Sequence, residues 1–207
     1  MNKNYSGDVG EGARTFTRQA RREQFIDATL ALLTEHGYAG VSLSKIAERA
    51  GVSKPTVLYH FHDKAAVVRA AYGYVLAALV EDVGAAVDAA AVPDRPAAYV
   101  RSMVRHFSEH PRHVRTIVEA FTYGEAEHDP SARWRPLAEI LCAADRSRSH
   151  CANTHEDYRN AALFIGGAID AIVLEKSRDP EFDAANAADE IVRLMDHSSR
   201  CRRPGRC

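Results

Sequence analysis

The 207-residue chain has four cysteines, three methionines and one tryptophan, and the cysteine shortage excludes most. Cys142, Cys151, Cys201 and Cys207 have neither zinc-site spacing nor the density of a secreted disulfide scaffold, so free thiols are expected. A redox pair between Cys142 and Cys151 is the alternative. No apolar run reaches the roughly 20 residues that span a bilayer, and the polar amino terminus lacks a signal-peptide core. The cytoplasm is therefore the expected location. Neither sign of charge dominates: 27 Lys and Arg stand against 28 Asp and Glu, a net charge of −1. That balance excludes a coat-like nucleic-acid binder, whose affinity comes from neutralising many phosphates. No Gly-x-Ser-x-Gly elbow, His-Glu-x-x-His pair, Walker loop or dinucleotide fingerprint occurs. Gly7-x-x-Gly10-x-Gly12 is not a phosphate loop, because no strand precedes it. An enzyme would need an unmarked site, such as Cys142 with a histidine, and none is expected; no cofactor is implied.

What is present is a short, dense pattern between Val41 and Phe61. Ser42 is placed to cap a helix whose apolar positions Leu43, Ile46, Ala47 and Ala50 share one face. Gly51 closes it, as a glycine in the left-handed conformation does, and Val52 seals the corner. Ser53 then caps a second short helix near residues 54–60, with Pro55 tolerated in the first turn. Ala47 is small enough for the two helices to cross closely, as in a helix-turn-helix. The second helix offers Lys54, Thr56, Tyr59 and His60 outward while Val57 and Phe61 point inward. Thr56 and the Pro55 ring suit a thymine methyl, and Lys54 suits a guanine edge or a phosphate.

Gly51, Val52, Ser53, Lys54, Thr56, Val57, Leu58, Tyr59, His60, Phe61 and Lys64 match a Gly-Val-Ser-Lys-x-Thr-φ-φ-Tyr/His-His/Tyr-Phe-x-x-Lys pattern, where φ is apolar or aromatic. Through it, residues 22–68 resemble the DNA-binding domain of the TetR/AcrR family of regulators. The resemblance implies that Lys54, Pro55 and Thr56 face bases, and that Ser42, Ser53, Tyr59, His60 and Lys64 lie at phosphates of a palindromic double-stranded operator. Many members carry tyrosine where this chain has Leu58, so one phosphate contact would be absent. The implied protein is a homodimeric, sequence-specific transcription regulator, most simply a repressor released by a small-molecule effector. The alternative keeps the DNA-binding unit but gives the carboxy-terminal domain a protein partner.

Upstream, Phe25, Ile26, Thr29, Leu30, Leu32 and Leu33 cluster on one side of a helix predicted over Thr17–His36 and ended by Gly37. Residues 1–64 hold 9 Lys and Arg against 7 Asp and Glu, leaving 18 against 21 beyond, so the basic residues lean toward the motif. Residues 1–16 are expected as a disordered tail, in which Arg14 and the following Arg18, Arg21 and Arg22 form a basic arm that is either solvated or reaches a neighbouring groove. The organisation read from the chain is a 17–63 DNA-binding domain, a 64–197 effector-binding and dimerisation domain, and a basic 198–207 tail. The fold class is all-α with about nine helices, a count the resemblance supports.

A long helix should start after Asp63 and run through Val83, followed by helices near 96–109, 111–123, 131–148 and 155–177, and a last one after Pro180. Met103, His106, Phe107, His110, Phe121, Tyr123, Trp134 and Phe164 are the candidate effector-lining residues, although aromatics and Met at helical spacing are more often plain core. His106 and His110 stand one turn apart with His113 nearby, but no carboxylate or cysteine is matched to them and no metal is expected. The stretch Ala161–Leu174 is apolar all round except at Asp170 and must be covered on both sides. Gly166 and Gly167 fit a close backbone approach there. Ile165, Gly166, Gly167, Ile169, Ile172 and Val173, with Ala188, Ile191, Val192 and Met195 of the last helix, are the expected dimer interface.

Overall fold

The computed structural model describes residues 9–126, 129, 131–148 and 155–201. Among these there are nine α-helices, one short 3-10 turn and no strand. In chain order the helices are α1 (Val9–Gly40), α2 (Leu43–Arg49), α3 (Lys54–His60), α4 (Lys64–Ala89), α5 (Arg95–Glu109), α6 (Pro111–Thr122), α7 (Arg135–Arg148), α8 (His155–Arg178) and α9 (Ala184–Cys201). They form two compact units, one of Met1–Leu76 with Arg112–Ala126 and the other of Ala77–Pro111 with Glu127–Cys207. The first unit is wider than the 17–63 segment expected, because most of α6 belongs to it.

The first unit is built on a core of Phe25, Leu33, Ile46, Val57, Val67, Val68 and Val75, all fully buried. Tyr38 and Ile117 lie against this core. Burying each large aliphatic or aromatic side chain contributes about 1.5–3 kcal/mol, so this small cluster suffices to fix the angles between the short helices. Asp63 caps α4 as expected, its Oδ1 accepting from Ala66 N–H at 2.7 Å. α4 is long and apolar enough, by length and composition alone, to cross a membrane. Of its apolar residues, Val67, Val68, Ala71 and Val75 enter the first core and Leu79, Val83 and Val87 enter the second, whereas Tyr74, Leu76 and Val80 are exposed.

α1 differs from the expected helix at both ends. It starts at Val9, so residues 9–16 are helical and the predicted tail is corrected there; residues 1–8 and 202–207 lie outside the described part. Adding a residue to an existing helix fixes little for one more hydrogen bond, so Gly10 and Gly12, at about 1 kcal/mol each, do not stop it. At the other end Gly37 breaks the helical path with φ 64° and ψ 180°, a region open essentially to glycine alone. This is a different conformation from the left-handed helical closure expected. α7 begins four residues later than expected, because Asp129 Oδ1 accepts from both Ser131 N–H (2.9 Å) and Ser131 Oγ–H (2.7 Å) and holds a turn instead.

In the second unit α5 packs on α7, α8 and α9, and α8 packs on α7 and α9. Leu79, Val83 and Val87 form a buried row against Tyr99, Met103, Phe107 and Ile140. Arg101 Nε donates to Asp189 at 2.7 Å and Tyr158 Oη to Asp145 at 2.8 Å. Asp170, the one acidic group in the apolar stretch of α8, pairs with Arg133. Cys142 is a free, half-buried thiol; Cys151, its suggested redox partner, lies outside the described residues.

Candidate nucleic-acid interface

The helix-turn-helix follows from its caps. Ser42 Oγ accepts from Lys45 N–H at 3.2 Å at the start of α2. At its end Gly51 takes φ 65°, Gly51 N–H donates to Glu48 O at 3.1 Å and Val52 N–H to Ala47 O at 3.0 Å. That pair of bonds turns the chain directly into α3. Ser53 does not cap α3 through its side chain, a correction to the expectation. Its Oγ lies 2.8 Å from Thr56 Oγ1, so the two hydroxyls satisfy each other while the Ser53 carbonyl accepts from Thr56 N–H at 3.0 Å. Pro55 occupies the first turn, where its missing N–H costs nothing.

Across α3 the sides separate cleanly. Val57 and Phe61 are buried, whereas Lys54 and Pro55 are exposed, Tyr59 is 71% exposed and Thr56 is half-buried. Leu58 is exposed as well. His60 is half-buried with its ring edge 5.3 Å from Phe25. Burial first, then the charges of Arg18, Arg22 and Arg21, hold His60 below its ordinary value, so the ring is neutral at pH 7. The same arginines are no loose arm. Arg18 lies 5.8 Å over the Tyr59 ring and Arg22 lies 4.3 Å over Phe61, one helical turn apart on α1. Their i, i+4 spacing was the available signal, hidden because the expected helix put Arg18 at its margin and Arg14 outside it.

Lys64, expected at a phosphate, stands with Nζ 3.8 Å above the Tyr38 ring, and burial draws its pKa below the ordinary lysine value against the pull of Glu125. Tyr38 also stacks on Tyr123 at 4.2 Å and donates its hydroxyl to Glu125 at 2.7 Å. Glu125 pairs in turn with Arg69 at 2.8 Å. Beside them the buried Glu119 accepts from Tyr38 N–H at 2.8 Å and pairs with Arg115 at 2.7 Å. Nothing in the sequence pattern linked Tyr38 to Glu119 or Glu125, which lie more than 80 residues further along.

The expected effector-lining residues fall in several places. Met103 and Phe107 join the apolar row of the second unit, and His106 is buried beside them with Nδ1 2.6 Å from Asp82 Oδ2. His110 is an exposed residue capping α5. Phe121 and Tyr123 belong to the first unit, where Phe121 meets Tyr72 edge-on at 5.9 Å. Trp134 lies under Arg159 at 5.3 Å. Phe164 is 81% exposed on α8. A shallow depression of roughly 300 Å³ borders Leu32, His36, Lys45, Glu48 and Arg49, none of them expected to line an effector site.

The expected interface residues are likewise sorted by packing. Ile165, Ile169, Val173, Ala188, Ile191 and Val192 are buried within one chain, and Ile172 and Met195 are half-buried. Their apolar character is satisfied by α8 packing on its neighbours. The residues left outward on α8 are Leu163, Phe164, Gly167, Ala171 and Leu174, and on α9 Leu194. Among the described residues a Cβ at Gly166 or Gly167 would meet nothing within 4 Å, so none of their backbone from a neighbouring element approaches there.

Comparison with known proteins agrees with this geometry. The family model described as "Bacterial regulatory proteins, tetR family" matches residues 25–71, the stretch from the packing face of α1 through α2 and α3 into α4. The HTH-type transcriptional regulator BetI of Burkholderia thailandensis is 29% identical over 160 residues, covering 72% of this chain and 80% of that protein. BetI of Paraburkholderia phymatum is 29% identical over 195 residues, covering 86% and 94%. The fold is shared with the fatty acid degradation regulator FadR from Bacillus halodurans, with TM-score 0.67 and 20% identity over 84% of this chain and 93% of that one. A TetR family transcription regulator from Marinobacter aquaeolei gives TM-score 0.67 at 19% identity, covering 84% and 95%. With a capped helix-turn-helix that holds its apolar side inward and its polar side out, matched by family model and relatives alike, residues 25–71 carry the DNA-binding domain of the tetR family of bacterial regulatory proteins, and the chain is a DNA-binding transcriptional regulator.

Proposed function

We propose that the protein is a cytoplasmic homodimeric repressor whose two α3 helices read a palindromic operator and which a small, largely apolar effector releases. The observation that carries the reading is the outward set Lys54, Pro55, Thr56 and Tyr59 standing over the buried Val57 and Phe61. Lys54 and Thr56 supply base contacts; Ser42, Ser53, Tyr59 and His60 supply phosphate contacts, with Arg18 and Arg22 holding the rings of Tyr59 and Phe61 in place. Lys64 serves the interface through Tyr38 as much as through a phosphate. Two such helices about 34 Å apart match successive major grooves, which a two-fold dimer provides. The exposed apolar stripe on α8 and α9 supports a second copy as the partner. Effector binding is proposed at the wall of Tyr99, Met103 and Phe107 beside His106.

The test is a fluorescence anisotropy titration at fixed salt with DNA from the gene's own upstream region. Lys54→Ala and Thr56→Ala should weaken the cognate site by about 1–3 kcal/mol each while leaving scrambled DNA nearly unaffected. Equal loss on both DNAs would reduce these residues to backbone contacts, and no binding to upstream DNA at all would overturn the reading.

A further inference from the structure

The sequence places His106 and His110 one turn apart without a matching carboxylate, and the fold supplies one from a different helix. Asp82 of α4 brings a carboxylate oxygen to the pair, so that one donor atom from each of Asp82, His106 and His110 lies within 4.8 Å of the others. All three residues belong to the second unit. His113, the third histidine of the run, belongs to the first unit and takes no part. We propose that Asp82, His106 and His110 form a binding site for a divalent first-row transition metal ion such as Zn²⁺.

The donor set decides the class of ion. Two imidazoles and one carboxylate suit zinc, cobalt, nickel or ferrous iron, whereas magnesium and calcium take oxygen donors almost alone. Three protein donors leave at least one position for water or an incoming ligand, the pattern of an open site. The arrangement is partly pre-formed. His106 is fully buried and its Nδ1 is fixed 2.6 Å from Asp82 Oδ2; its ring centroid is 4.8 Å from that of His110. Bond lengths of about 2.0–2.2 Å to nitrogen and oxygen put neighbouring donors roughly 3.3 Å apart. Reaching that spacing asks for movements of about 1 Å, and they fall on surface side chains: Asp82 is 45% exposed and His110 caps the end of α5. In the metal-free state the short contact of Asp82 with His106 is a hydrogen bond; a metal ion taken up at Nδ1 replaces it and leaves the proton of the neutral ring on Nε2.

The site stands independently of the DNA-binding reading, since a protein that never touched DNA would bind the ion equally. The experiment uses tag-free, chelator-stripped full chain, titrated with Co²⁺ and followed by visible absorption, then with Zn²⁺ in competition with a chromogenic chelator. One equivalent of Co²⁺ per chain is expected, displaced by Zn²⁺. His110→Ala and Asp82→Ala should each weaken Zn²⁺ binding roughly tenfold or more. His36→Ala, which removes an exposed imidazole far along the sequence from the site, should leave it unchanged. Circular dichroism of both surface variants checks that the fold persists. Absence of a saturable Co²⁺ spectrum in the wild-type chain, or equal affinity in the His110 and Asp82 variants, overturns the proposal.

Discussion

Tyr38 holds several contacts at once: its N–H goes to Glu119, its hydroxyl to Glu125, and its ring carries Lys64 on a face and Tyr123 in a stack. Burial first and then the Glu125 hydrogen bond push its pKa up to about 12. The folded value lies above the unfolded value of 10, so the neutral phenol contributes stability that is complete below pH 10 and lost as pH rises toward 12. Tyr38→Phe should therefore cost about 1 kcal/mol at pH 8, and the gap to the wild type in urea midpoint should narrow steadily between pH 10 and 12. The role of Tyr38 was not legible in the sequence, where it is a tyrosine between two glycines near the end of a helix. The legible residues were those of the local motif. Ser42, Gly51, Val57 and Phe61 take the positions their spacing implied, because cap and turn chemistry acts within four residues. Ser53 shows the limit of such reading. Its hydroxyl pairs with the Thr56 hydroxyl three residues on instead of accepting from a backbone N–H of α3.

Helices were more readable than their ends or their faces. α4, α5 and α6 fall within a few residues of expectation because proline and acidic caps mark their starts. α7 starts late because a single aspartate side chain offers its backbone a turn, and α1 starts early because an anchored helix propagates cheaply. The junction of α1 with α6 holds two testable positions. A side chain at Gly37 must occupy a backbone region costing about 1–3 kcal/mol, with its Cβ 3.3 Å from both Arg115 Nη2 and Glu119 Oε1. Gly37→Ala should lower stability by at least that amount in equilibrium urea unfolding. Glu119→Ala removes the acceptor of Tyr38 N–H and should cost about 1–3 kcal/mol in the same measurement. Since Arg112–Ala126 packs within the DNA-binding unit, the Glu119 variant should also weaken operator binding without altering any residue of α3. A wild-type affinity in that variant would separate α6 from the positioning of the reading helix.

For the whole molecule, composition and helical period were enough to give an all-α fold, but not to say which apolar residues meet within the chain. The Ala161–Leu174 stretch of α8 is apolar all round except at Asp170, so its sequence carries little to distinguish Ile165, Ile169 and Val173, which turn inward, from Phe164, Ala171 and Leu174, which turn out. Only the positions of α5, α7 and α9 make that choice. The distinction sharpens the dimer test. Phe164→Asp places a charge in the outward stripe and should yield monomers by light scattering on a sizing column, with the thermal midpoint of the isolated chain nearly unchanged. Ile169→Asp, a buried position, should instead unfold the second unit. A Phe164→Asp protein that remains dimeric would move the partner surface away from α8.

The division of the chain into units has a practical result for anyone exchanging parts between such regulators. Because Arg112–Ala126 rejoins the amino-terminal unit after an excursion through Ala77–Pro111, no single cut yields a whole DNA-reading module. A chimera joining residues 1–76 to a foreign sensor would inherit the helix-turn-helix but leave Tyr38 N–H without Glu119 and the core without Ile117. Successful recombination requires carrying the donor's α6 along, or choosing a recipient whose own α6 offers a carboxylate at the equivalent turn.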